Sequence, residues 1–131
     1  MFMGHGFGAS TASRRYAAIA TGSRIEGATP HQLVKILFEE LLRSIDAAAH
    51  AERSGDRIRS SDKQSRALSI LHALESSLDF QKGGEIAVGL SQIYRESRRL
   101  VLSSAQKREP SDMIRARAML ADIADAWEQI G

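Results

Sequence analysis

The sequence predicts an all-α protein, an antiparallel up-down four-helix bundle with a short N-terminal helical or cap segment. Apolar residues recur at three- and four-residue spacing through four stretches of similar length, and no stretch shows the two-residue alternation of a strand. Turn signals at Ser54-Gly55-Asp56, Gly83-Gly84 and Glu109-Pro110-Ser111-Asp112 separate those stretches. Aromatics make up only 5% of 131 residues, so the core must be Leu, Ile, Val and Ala with Met filling gaps, a composition that suits helix packed on helix. A chain of this length has room for one core and not for two.

Residues 1–13, rich in Gly, Ser, Thr and Ala, are expected to form a flexible tail, and residues 14–131 the bundle domain. The stretch from Ser13 to Ala20 has the length of two helical turns before Thr21-Gly22-Ser23 ends it, and Tyr16, Ile19 and Ile25 are its large apolar anchors. The first long helix starts at a capping box: Thr29 as N-cap, Pro30 where a missing N–H costs nothing, and Gln32 three residues on. Leu33, Leu37, Leu41 and Ile45 then recur every fourth residue, widened by Val34, Phe38 and Leu42.

The second helix is expected from about Ser60 to Phe80, with Leu68, Leu71, Leu74 and Leu78 inward and Ala67 and Ile70 beside them. Gly83-Gly84 should break the chain, since each glycine costs a helix about 1 kcal/mol. The third helix then starts near Glu85, whose charge suits a helix N-terminus, and carries Ile86, Leu90, Ile93, Val101 and Leu102. Ser111 or Asp112 is expected to cap the last helix, which places Met113, Leu120, Ile123, Trp127 and Ile130 on one face.

Composition also bears on chemistry. With no cysteine, disulfides, thiolate metal sites and cysteine nucleophiles are excluded, which fits a reducing compartment. Eighteen cations against sixteen anions give a net charge of +2, too balanced for an electrostatic nucleic-acid footprint. Arg57, Arg59, Lys63 and Arg66, and Arg95, Arg98 and Arg99, read as solvated faces without interleaved aromatics. No apolar run reaches the ~20 residues of a membrane span, and the opening Met1–Gly8 lacks the charged n-region of a signal peptide. His72-x-x-Glu75 is reversed and single where a di-iron bundle needs paired Glu-x-x-His, and His50 with Asp46 gives one pair. No nucleotide loop or nucleophile–base set can be assembled, so neither catalysis nor a metal or cofactor is expected. A histidine phosphotransfer bundle using His72 is one alternative, and a helical adaptor for a different export client another.

Four segments resemble the flagellar secretion chaperones of the FliS family. Ala28-Thr29-Pro30-His31-Gln32-Leu33-Val34-Lys35-Ile36-Leu37-Phe38 is similar to the start of that family's first long helix. Ser77-Leu78-Asp79-Phe80-Gln81-Lys82-Gly83-Gly84-Glu85-Ile86-Ala87, followed by Leu90 and Ile93-Tyr94, resembles its central junction. Ile123-Ala124-Asp125-Ala126-Trp127 matches its C-terminal motif, and Tyr16 stands where the family keeps a tyrosine. Two departures stand out: Glu39-Glu40 replaces an Asp-Gly, and Glu96-Ser97-Arg98 replaces tyrosine, methionine and an apolar residue.

The resemblance implies a non-enzymatic chaperone of the bacterial cytosol that binds the disordered C-terminal segment of flagellin in apolar grooves. Such binding prevents premature polymerisation and keeps flagellin competent for flagellar type III secretion. Val34, Phe38, Ile86, Leu90 and Tyr94 are the expected contacts, at the edges of the stripes, with Leu37, Leu41, Leu71 and Ile123 as core and Trp127 as a packing residue. Tyr16 and Ile19 would form an N-terminal plug that flagellin displaces. The flagellar export apparatus as a second partner and a homodimer in the free state are further expectations.

Overall fold

A computed structural model describes residues 27–130, in which four helices and no strand are found. The expected tail over residues 1–13, the Ser13–Ala20 segment, and Tyr16 and Ile19 lie outside the described residues.

Helix α1 spans Pro30–Ser54 and begins as the capping box dictates. The Gln32 N–H donates to Thr29 Oγ1 at 3.1 Å, and the Thr29 N–H donates to Gln32 Oε1 at 2.9 Å. Its far end is closed by Gly55, held left-handed at φ 75°, ψ 15°, where glycine meets no Cβ penalty.

Helix α2 spans Arg57–Ser76, starting and ending earlier than the expected Ser60 to Phe80. Asp56 ends one helix and caps the next, accepting from the Arg59 N–H at 3.1 Å. At the other end the Ser77 hydroxyl donates to the Leu74 carbonyl at 2.9 Å, competing with continuation of the helix. Leu78, which fits the apolar stripe, therefore sits in a turn. Ala67 and Ile70, expected beside the stripe, are fully buried, whereas Leu68 is half-buried.

Helix α3 spans Phe80–Lys107 and is interrupted at Gly84, whose φ 52°, ψ −127° is non-helical. Asp79 caps a single turn before the break, accepting from the Gln81 and Lys82 N–H groups at 3.0 Å each. The long straight part thus begins at Glu85 as expected, but Phe80 belongs to this element and not to α2.

Helix α4 spans Ser111–Ile130. Neither Ser111 nor Asp112 caps it: the Glu109 carboxylate reaches forward and accepts from both the N–H (2.6 Å) and the hydroxyl of Ser111. Asp112 turns to α3 instead, accepting from the Ser103 hydroxyl at 2.6 Å and Lys107 Nζ at 3.1 Å. The Met113 N–H, an orphan of the first turn, is satisfied by Ser104 Oγ of α3 at 2.8 Å.

Each helix packs on the next in chain order and α4 returns to α1, which closes an antiparallel ring. Leu37, Leu41, Ile45, Ile70, Leu71, Leu100, Met113 and Leu120 fill its axis. All four helix–helix seams also carry an ion pair: Glu40–Arg66 (3.4 Å) joins α1 to α2, and Glu75 with Arg95 (2.9 Å) joins α2 to α3. Asp112–Lys107 (3.1 Å) joins α4 to α3, and Asp46–Arg117 (2.8 Å) joins α1 to α4.

Leu102, expected among the apolar residues of the third helix, and Ile130, expected on the apolar face of the last, are exposed at 46% and 73%. Val101 occupies the inward position that Leu102 would need, and Ile130 lies in the last turn of α4.

Candidate functional site: an apolar cavity at one end of the bundle

The antiparallel order brings the start of α1, the end of α2, the start of α3 and the end of α4 to the same end of the bundle. There they surround a cavity of about 690 Å³, within the ~300–1,000 Å³ range of ligand pockets. Val34, Phe38, Ile86, Leu90 and Tyr94 all line it. They occupy different depths. Phe38 and Tyr94 are 2% and 3% exposed and form its floor, Val34 and Leu90 are half-buried, and Ile86 stands at the rim, 75% exposed.

Sequence reasoning missed several lining residues. Ile123, expected as central core, is half-buried on the cavity wall together with Ala126, Trp127 and Ile130 of α4. Periodicity gives the inward face of a helix and not its depth; beyond Leu120 the inward face of α4 is only partly buried against the core and borders the cavity. Leu74 and Leu78 line the α2 side. Among the described lining residues only Asp79 and Lys82 carry charge, and Asp79 is engaged in capping α3.

Trp127, expected as a packing residue, stacks on α1 and also lines the cavity. Its indole stacks on the His31 imidazole with ring centroids 4.6 Å apart and planes 10° apart. Two reciprocal bonds join the same residues. The indole Nε1–H donates to the His31 carbonyl at 3.1 Å, and His31 Nε2 lies 3.0 Å from the Trp127 carbonyl. A carbonyl can only accept, so His31 carries its proton on Nε2. One turn beyond His31, Lys35 pairs with Glu128, the residue after Trp127, at 3.3 Å.

The two departures from the family pattern are absorbed within the bundle. Glu40 is buried at 8% exposure and accepts from Arg43 and Arg66. Glu75 accepts from Arg95, Arg98 and the Ser91 hydroxyl. Burial pushes its carboxyl up, but the hydrogen bonds from Arg95 and Arg98 outweigh this and hold it below the usual range. Arg95 and Arg98 are therefore interhelix partners and not a free basic face. Arg99 pairs with Glu96 on its own helix. Ser97 is fully buried with no hydrogen-bond partner among the described residues.

The acids beside the two histidines considered for metal binding are engaged elsewhere: Glu75 with those arginines and Asp46 with Arg117. His72 is exposed, its Nε2 3.5 Å from the Ser76 hydroxyl. The described lining of the cavity is largely apolar. No helix among the described residues is long and apolar enough to cross a membrane.

A profile of the family described as "Flagellar protein FliS" matches residues 12–131. A "Flagellar secretion chaperone FliS" of Salmonella typhimurium is 31% identical over 118 residues, covering 89% of this chain and 87% of the relative. Proteins of the same name from Vibrio cholerae and Campylobacter jejuni are 25% and 30% identical, covering 88% and 78% of this chain and 85% and 80% of their own lengths. The chain belongs to the FliS family of flagellar secretion chaperones.

Proposed function

We propose that this chain is an export chaperone that binds the C-terminal segment of flagellin in the apolar cavity at the end of the bundle. The observation that supports this best is the convergence of Val34, Phe38, Ile86, Leu90 and Tyr94, drawn from two helices, on one cavity. An incoming amphipathic segment would dock there as a helix in a groove, its spaced apolar residues entering between α1, α3 and α4. Each large apolar side chain fully buried contributes about 1.5–3 kcal/mol, which must exceed the entropy of ordering a disordered chain. Several anchors are therefore needed, and a cavity with half-buried and exposed apolar walls supplies them.

In this reading Ile86 and Leu90 make the contacts directly, while Phe38 and Tyr94 shape the floor. Covering the segment's apolar residues in the cytosol denies them to other flagellin subunits, and the chain stays unfolded for type III export. Tyr16 and Ile19 would cover the cavity before flagellin arrives. Deleting residues 1–20 should then change both flagellin affinity and the tendency of the free protein to aggregate; unchanged values for both would remove the plug.

A pull-down with a peptide of the flagellin C-terminal segment against a scrambled peptide tests the main proposal. Retention of the native peptide alone is expected, and equal retention of both would refute it.

A further inference from the structure

The walls of the cavity are not equally anchored. The α1 wall includes buried Leu33 and Phe38, the α3 wall buried Ala87 and Tyr94, and the α2 side buried Leu74. The α4 wall is Ile123, Ala126, Trp127 and Ile130, none of them fully buried. The last buried residue of α4 is Leu120, so ten residues of helix run on with only partial cover. That stretch meets the core cluster through the partly buried Ile123 and Ala124, and its last turn is tied to α1 by the stacked rings and two reciprocal bonds of His31 and Trp127, and by the exposed Lys35–Glu128 pair. All of these ties are polar or surface contacts between the first two turns of α1 and the last turn of α4. They can break without opening the packed axis around Leu37 and Leu120.

We infer that His31 is a positioning residue whose clasp on Trp127 fastens the end of α4, residues 123–130, as a releasable wall that gates the cavity. Releasing the clasp frees the α4 wall while the floor formed by Phe38 and Tyr94 stays in place. Residues 123–130 therefore form a local opening unit of lower stability than the rest of the bundle. The gating role rests on the proposed function; the clasp itself does not.

Hydrogen exchange on the free full-length protein tests the clasp. His31→Ala removes the ring stack and one of the two bonds. It should accelerate exchange of amides 123–130 by about tenfold while leaving 113–120 unchanged, as expected for local and not global opening. His31→Phe, which keeps a ring for stacking, should fall between. No acceleration, or equal acceleration across α4, overturns the clasp.

Gating is tested by locking the wall. The chain has no cysteine, so Lys35→Cys with Glu128→Cys supplies two thiols for a short reducible bismaleimide. Bridging should slow association of the flagellin C-terminal peptide by about tenfold or more, and reduction should restore it. Trp127, the single tryptophan, provides the fluorescence signal. A bridged protein that binds as fast as the reduced one overturns gating. If the unmodified protein binds no peptide, the flagellin reading fails and the exchange result alone decides the clasp.

Discussion

Glu75, the penultimate residue of α2, accepts a hydrogen bond from the Arg98 guanidinium of α3, and Arg95 and Ser91 of the same helix donate to the same carboxylate. Because these hydrogen bonds outweigh the opposing effect of burial, the carboxyl is held below its ordinary range when folded. A depressed folded pKa gives stability that is present above the unfolded value, about 4.3, and lost as pH falls through the folded one.

Glu75→Gln should therefore destabilise the protein at pH 7 by about 1 kcal/mol, or roughly 3–5 °C in melting temperature for a domain of this size. The difference from wild type should shrink as pH falls below the unfolded value towards the lower folded one, where the wild-type carboxylate also takes up its proton. Thermal melts followed by circular dichroism from pH 7 to pH 3 measure both.

Ser97 should behave in the opposite sense. Its hydroxyl is buried without a partner among the described residues, and an unsatisfied buried polar group costs about 1–3 kcal/mol. Ser97→Ala is expected to leave the fold intact and raise stability by about 1 kcal/mol in urea denaturation. A loss of that size would mean that the hydroxyl has a partner in solution.

Glycine substitutions at the turns should rank by backbone geometry. Gly84→Ala, at φ 52° and ψ −127°, meets nothing within 4 Å, so its cost of about 1–3 kcal/mol is conformational. Gly55→Ala, at a left-handed helix end, should cost about 1–2 kcal/mol, and Gly55→Asn less. Gly83→Ala fails differently, by contact, since its Cβ would come 2.9 Å from that of Ala87. Chemical denaturation of the four variants checks the order.

Depth in the cavity separates folding from binding. Phe38→Ala removes a buried ring and should cost about 3–5 kcal/mol, so it cannot serve as a probe of recognition. Ile86→Ala, at the exposed rim, should change stability by less than about 0.5 kcal/mol.

These contrasts show which parts of the molecule local sequence encodes. The Thr29-Pro30-Gln32 capping box and the Gly55 stop were legible because their partners lie within four residues. The end of α2 was misplaced because Leu78 continues the apolar stripe, while the turn is made by Ser77 and by Asp79 capping the next helix. The Glu40–Arg66 and Glu75–Arg98 pairs were hidden because they join positions 26 and 23 residues apart, which only the packed bundle brings together. At the cavity, the five stripe-edge residues could be named from the pattern and the resemblance. The placing of Phe38 and Tyr94 as floor and Ile123 as wall depends on how far α4 runs past its last buried residue.

Two exposed isoleucines at opposite ends of the bundle give the most direct test of the central claim. Ile86 lies on the cavity rim at 75% exposure, and Ile58, at the start of α2, is 85% exposed at the other end. Calorimetric titration with the flagellin C-terminal segment should give equal affinity for wild type and Ile58→Asp, and a loss of about tenfold or more for Ile86→Asp, with unchanged helicity in all three. Undiminished binding by Ile86→Asp, or an equal loss in both variants, would contradict recognition through this cavity.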